Sequence, residues 1–163
     1  MTYDIQKLTS VADDYCRINH SKVARLLGRG TQGIVFQTVH NTALKIHARE
    51  DAYLREIVVY RRLTERKITS IRGFQIPRFL NSDDNLFALE ISIVHVPCVL
   101  DFGSSHVDEP PEYLGRDEDW LNEKQEEFGD RWEEAQSIIS ELEYKAGIWL
   151  ADVNVSNIKF SES

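Results

Sequence analysis

The chain has 163 residues, 42% hydrophobic and 28% charged, with a formal net charge of −8, the composition of an ordinary soluble domain with enough apolar residues for one core. No apolar run approaches the ~20 residues that a bilayer span needs, the N-terminus MTYDIQKLTS has no apolar leader region, and no dense Lys/Arg run carries interleaved aromatics, so neither a membrane nor a nucleic-acid partner is expected. Cys16 and Cys98 form neither a CxxC nor a metal-ligand pattern, which reads as reduced thiols in a cytoplasmic protein.

In chain order, residues 1–20 read as an N-terminal extension. From Ser21 a turn-rich stretch leads into IVFQTV, a β-branched and aromatic run typical of a strand. Asn41 and Thr42 make a hairpin turn into a second strand, ALKIH. DAYLREIVVYRRLTERK follows at helical spacing through Leu54, Ile57, Val58 and Leu63, with Asp51 as its expected N-cap. FQIPRFL and LFALEISIV are two further strands, separated by the turn signal NSDDN. Residues 21–97 thus read as a small antiparallel sheet interrupted by one helix.

Residues 98–163 differ in character. The acidity is concentrated in residues 106–135, which hold 12 acidic and 3 basic side chains and read as a solvated helix face or loop. Pro110 and Pro111 oppose helix at the start of this segment. DWLNEKQEEFGDRWEEAQSIISELEYKAG is mostly helical, with Trp132, Ala135, Ile138, Ile139 and Leu142 on its buried face and Gly147 as its stop. IWLADVNVSNIKF closes the chain as strand, loop and strand.

The sharpest motif is LLGRGTQGIVF, with Gly28, Gly30, Gly33 and Val35 spaced G-x-G-x-x-G-x-V. Glycines let a hairpin backbone approach phosphate oxygens and present N–H donors to them. A dinucleotide fold would need a helix after the glycines, whereas strand residues follow here. Lys45 comes on the next strand and Glu56 on the helix after that. A long cation that grips phosphates has to be aimed, and a carboxylate on a packed helix can aim it. Glu50 competes for that role but falls before the expected cap.

This order of glycine hairpin, strand lysine and helix glutamate resembles the protein kinase-like superfamily. GIWLADVNVSNIKF is similar to its catalytic loop, H-R-D-x-x-x-x-N, with Asp152 at the Asp and Asn157 at the Asn position. Leu150 and Ala151 replace the usual His and Arg. The resemblance covers Leu26 to Phe160. It implies an α+β, kinase-like fold: a small antiparallel sheet lobe with one helix, then a reduced, mostly helical lobe.

The resemblance also implies ATP under Gly28, Gly30, Gly33 and Val35. Lys45 would lie on the phosphates, Glu56 would aim Lys45, Asp152 would accept a hydroxyl proton, and Asn157 with Asp152 would hold Mg2+. The family's metal aspartate belongs to an Asp-Phe-Gly about a dozen residues after the catalytic loop, beyond Ser163, so a minimal, C-terminally truncated kinase-like protein is expected. Asp101-Phe102-Gly103 has the right spelling but precedes Asp152 by 51 residues, and is expected to be a coincidence at the hinge. Two functions stay open: an ATP-dependent phosphotransferase of unknown acceptor, and an inactive, pseudokinase-like module acting through a protein partner or a homodimer.

Overall fold

The computed structural model describes residues 2–94, 98–111, 115–155 and 157–160. In chain order the elements are α1 (Ile5–Ile18), β1 (Val23–Arg29), β2 (Gly33–Thr38), β3 (Thr42–His47) and α2 (Glu50–Glu65). Then come β4 (Ser70–Ile71), β5 (Phe74–Gln75), β6 (Phe79–Asp83), β7 (Ala88–Ser92), β8 (Cys98–Leu100) and β9 (Ser105–Val107). Last are α3 (Glu118–Phe128), a 3-10 turn, α4 (Trp132–Ala146), β10 (Ile148–Leu150) and β11 (Ile158–Phe160). The expected architecture of an antiparallel sheet unit and a largely helical unit is present. None of the described helices is long and apolar enough to cross a membrane.

The first unit comprises Met1–Ile57 and Pro77–Ile93. Its five-stranded antiparallel sheet has the order β1-β2-β3-β7-β6. Residues 1–20 contribute α1, which Asp4 caps by accepting from the Lys7 amide at 3.2 Å. Leu8, Ala12, Tyr15 and Cys16 lie at helical spacing and pack on Ile34 and Phe36 of β2, Leu44 and Ile46 of β3, and Ala88 of β7. Burying each of the larger side chains contributes roughly 1.5–3 kcal/mol. Tyr15 also donates to Glu90 Oε1 at 2.8 Å, while Thr42 donates to Oε2 of the same carboxylate at 2.6 Å. Burial, and then the hydrogen bond to Glu90, push the Tyr15 phenol well above its ordinary pKa.

Since side chains alternate along a strand, Lys45 and His47 emerge on the face opposite Leu44 and Ile46. In register, Lys45 pairs with Val35 of β2 on one side and with Leu89 of β7 on the other.

The second unit comprises Val58–Ile76 and Val94–Ser163. The predicted face of α4, with Trp132, Ala135, Ile138, Ile139 and Leu142, is buried, and the Trp132 ring meets Trp120 edge-on and Phe128 at a tilt. Gly147 ends α4 at φ 64°, a left-handed conformation that glycine adopts without penalty. Arg62 clamps this end: its guanidinium pairs with Asp108 at 2.5 and 2.6 Å and donates to the Ala146 carbonyl at 2.8 Å.

Four local readings change. The stretch opening at Ser21 holds a full strand, β1, whose exposed Leu26 and Leu27 hide its alternation because it lies at a sheet edge. Asn81–Asp83 belong to β6, and the turn falls on residues 84–87, where Asp83 accepts from the Asn85 and Leu86 amides. Helix α2 begins at Glu50, so Asp51 lies in its first turn and pairs with Arg49 instead of capping. His106 and Val107, at the head of the acidic segment, belong to β9 (Ser105–Val107). The reading of Tyr113 falls outside the described residues.

Candidate functional site

In the first unit, the turn between β1 and β2 carries the glycines. Gly30 N–H donates to the Gly33 carbonyl at 3.0 Å, and Ala48 N–H donates to the Gln32 carbonyl at 2.8 Å. The Tyr3 hydroxyl reaches both the Gly30 carbonyl, at 2.6 Å, and the Gly33 carbonyl, at 2.9 Å. The three glycines differ in what requires them. A Cβ at Gly33 would collide with the Ile46 carbonyl oxygen and touch His47 Cα at 3.0 Å, so close strand packing demands glycine there. At Gly28 and Gly30 a Cβ would meet nothing within 4 Å. These two leave open backbone of the kind a phosphate can approach.

Lys45 Nζ lies 2.8 Å from Glu56 Oε2, with the lysine side chain 13% exposed. The same oxygen lies 2.6 Å from His47 Nε2, and His47 Nδ1 lies 3.1 Å from the Phe87 carbonyl. An ionised carboxylate only accepts, so His47 Nε2 is the donor to Glu56. Burial alone would raise the pKa of Glu56. The Lys45 ammonium and the His47 hydrogen bond more than offset burial and hold it at about 2. Glu56 is therefore a buried, ionised carboxylate that fixes the strand lysine. Glu50, the competitor, is exposed.

His47 was missed in the sequence, although a residue two positions after Lys45 on a strand necessarily shares its face. A cavity of about 200 Å³ beside the glycine turn is lined by Thr31, Gln32, Ala48, Arg49, Asp51, Ala52 and Arg55. Both arginines are already paired with Asp51, and Lys45 does not line it.

In the second unit, Asp152 and Asn157 share the loop between β10 and β11. The Asn157 side-chain amide donates to the Asp152 carbonyl at 2.7 Å, and the Asn154 amide donates to Asp152 Oδ1 at 3.0 Å. The first of these bonds uses the nitrogen of Asn157, so its side-chain oxygen is the atom it has to offer a hard cation. Val153 is buried while Asp152 is exposed, so the loop is anchored beside an accessible carboxylate. Asp101, expected at the hinge, lies against this loop: its N–H donates to the Asn157 carbonyl at 2.8 Å.

No family model matches the chain, and no curated protein matches its sequence. Among solved structures it is similar to APH(2'')-IIa in its complexes with streptomycin and ATP and with gentamicin. Both match at 15% identity over 96% of this chain and 43% of theirs, with TM-scores of 0.43 and 0.44. It is similar also to the aminoglycoside phosphotransferase APH(2'')-Ib bound to ADP, at 16% identity over 92% of this chain and 41% of that one, with a TM-score of 0.43. These are protein kinase-like enzymes. The likeness is one of fold alone, and the chain spans less than half the length of each.

Proposed function

We propose that this chain is a kinase-like nucleotide-binding protein and acts as an ATP-dependent phosphotransferase. The buried Lys45–Glu56 pair, on the strand that follows an open glycine turn, carries the reading. A lysine held at 2.8 Å by a buried carboxylate is a cation aimed in advance, which is what binding of α- and β-phosphates requires. Gly28 and Gly30 supply backbone close to the phosphates, and Val35, paired with Lys45 in register, supplies an apolar neighbour.

Magnesium, when bound with the nucleotide, would neutralise phosphate charge. The Asn157 side-chain oxygen and the Asp152 carboxylate would suit it, since Mg2+ takes few protein oxygens and completes its shell with water and phosphate. Asp152 would accept the proton of the acceptor hydroxyl, and Asn157 would hold the loop through its bond to the Asp152 carbonyl. A cytoplasmic setting suits the buried free thiol of Cys16.

The test has two measurements. Thermal melts with ATP, in EDTA and in Mg2+, read binding: at ~100 times its dissociation constant the nucleotide stabilises the fold by roughly 2.7 kcal/mol. Loss of the shift in Lys45→Met supports the assignment, and no shift in the parent chain overturns it. Incubation with γ-labelled ATP and Mg2+ reads transfer, with Asp152→Asn as control. A melting shift without turnover would leave a binding module of the pseudokinase kind.

A further inference from the structure

Residues 1–20, read in the sequence as an extension, bring one polar atom onto the glycine turn. Tyr3 stands directly before Asp4, the cap of α1, and Leu8 is the fourth residue of that helix. This is the spacing of a hydrophobic staple, in which the residue before the cap packs beside the fourth helical position. Tyr3 packs against the core cluster that contains Leu8, Ile34, Phe36 and Leu44, which fixes its ring. Its hydroxyl then reaches the Gly30 carbonyl at 2.6 Å and the Gly33 carbonyl at 2.9 Å, on the far side of β1 in the chain.

Three carbonyl oxygens of the turn are thereby occupied. That of Gly30 accepts from Tyr3, that of Gln32 from Ala48 N–H at 2.8 Å, and that of Gly33 from both Tyr3 and Gly30 N–H, the latter at 3.0 Å. A trans peptide is planar, and its C=O and N–H point to opposite sides. With the Gly30 carbonyl turned onto Tyr3, the Thr31 N–H points away from Tyr3. Thr31 is exposed, and its N–H has no hydrogen-bond partner among the described residues. The turn thus presents a donor while its partial negative charges are engaged, which is the polarity an anion needs. Gly33 is fixed by its packing on Ile46, whereas a Cβ at Gly30 would meet nothing within 4 Å. The peptide between Gly30 and Thr31 is therefore the one that needs an external hold, and Tyr3 supplies it.

We propose that Tyr3 is a positioning residue for phosphate binding: its hydroxyl latches the Gly30 and Gly33 carbonyls, so that the Thr31 N–H is held ready to donate to a phosphate oxygen of the nucleotide. The inference rests on reading the glycine turn as the phosphate-binding element. It gives α1 a part in the site, since the staple on Leu8 aims the Tyr3 hydroxyl. The latch acts on the phosphates and not on the rest of the nucleotide, and that selectivity separates it from a purely structural bond.

Tyr3→Phe keeps the ring and removes only the hydroxyl. ATP and adenosine are titrated in EDTA into the 15N-labelled full chain, parent and variant, and the amide shifts give the dissociation constants. ATP is expected to bind Tyr3→Phe roughly fivefold more weakly, the worth of about one hydrogen bond. Adenosine, which has no phosphate, is expected to bind both chains alike. The Thr31 amide is expected to move downfield with ATP in the parent and to lose most of that movement in the variant. Any one of three results overturns the proposal: equal ATP affinity in the two chains, an unchanged Thr31 response, or equal weakening of ATP and adenosine, which reports general loosening. An ATP response absent from the parent overturns the nucleotide reading and this inference with it, whereas one that Tyr3→Phe retains in full overturns the latch alone.

Discussion

His47 holds Glu56 by a 2.6 Å hydrogen bond to the same oxygen that Lys45 approaches at 2.8 Å. Removing His47 leaves a buried carboxylate one donor short. His47→Ala is therefore expected to cost about 1–3 kcal/mol, since a buried charged acceptor then lacks its partner. Urea unfolding measures this. An ATP melting shift that weakens in His47→Ala beyond the change in basal stability would identify His47 as a positioning residue for Lys45, and an unchanged shift would limit it to structure.

The ionisation of Glu56 sets an acid limit. Its folded pKa, about 2, lies below the ordinary 4.5, so folding favours the ionised form. Its contribution to stability is complete above about pH 4.5 and is lost as pH falls from there towards 2. Asp108, Glu127 and Glu141 are shifted down by Arg62, Lys124 and Lys145 respectively and act in the same direction. The diagnostic is thus a difference: urea midpoints of Glu56→Gln should fall less steeply between pH 5 and 3 (about the window of the shift) than those of the parent chain. Parallel slopes would contradict the assignment.

The glycines should separate by mechanism. Gly33→Ala forces a methyl against the Ile46 carbonyl and is expected to destabilise by about 1–3 kcal/mol, in the range of overpacking. Gly30→Ala meets open space and should stay within about 0.5 kcal/mol. If phosphate lies over this turn, Gly30→Ala nonetheless reduces the ATP shift. Melts of both variants, with and without ATP, give the comparison.

Arg62 is the clamp of the second unit, with its side chain 14% exposed, facing Asp108 and the end of α4. Arg62→Ala frees the Ala146 carbonyl and should cost about 1–3 kcal/mol. Asp108→Asn keeps a hydrogen-bonding oxygen on an exposed side chain and should cost less. Chemical denaturation of the two variants ranks them, and a larger loss in Asp108→Asn would reverse the picture.

Much of this was legible in the sequence because it is local. Gly28 to Val35, Lys45 and Glu56 sit on consecutive elements, and alternation and helical period place them without any long-range information. The buried face of α4 and its glycine stop are local in the same way. Strand β1 was hidden because an edge strand need not alternate cleanly, and Leu26 and Leu27 face solvent. The partnership of Asp101 with Asn157 was hidden for another reason. It depends on β8 pairing with β11 across the whole of α3 and α4, and no spacing rule reports which short strands meet at that distance.

The crossed connections of β8 to β11 also bear on how the chain assembles. Leu100 and Ile158 must close a loop of more than fifty residues before either short strand has a partner in its ladder. Such distant pairings carry the entropic cost of ring closure ahead of any contact energy, and so come late in folding. In a chain emerging from a ribosome, β8 would wait for its ladder partner until Ile158–Phe160 had been made.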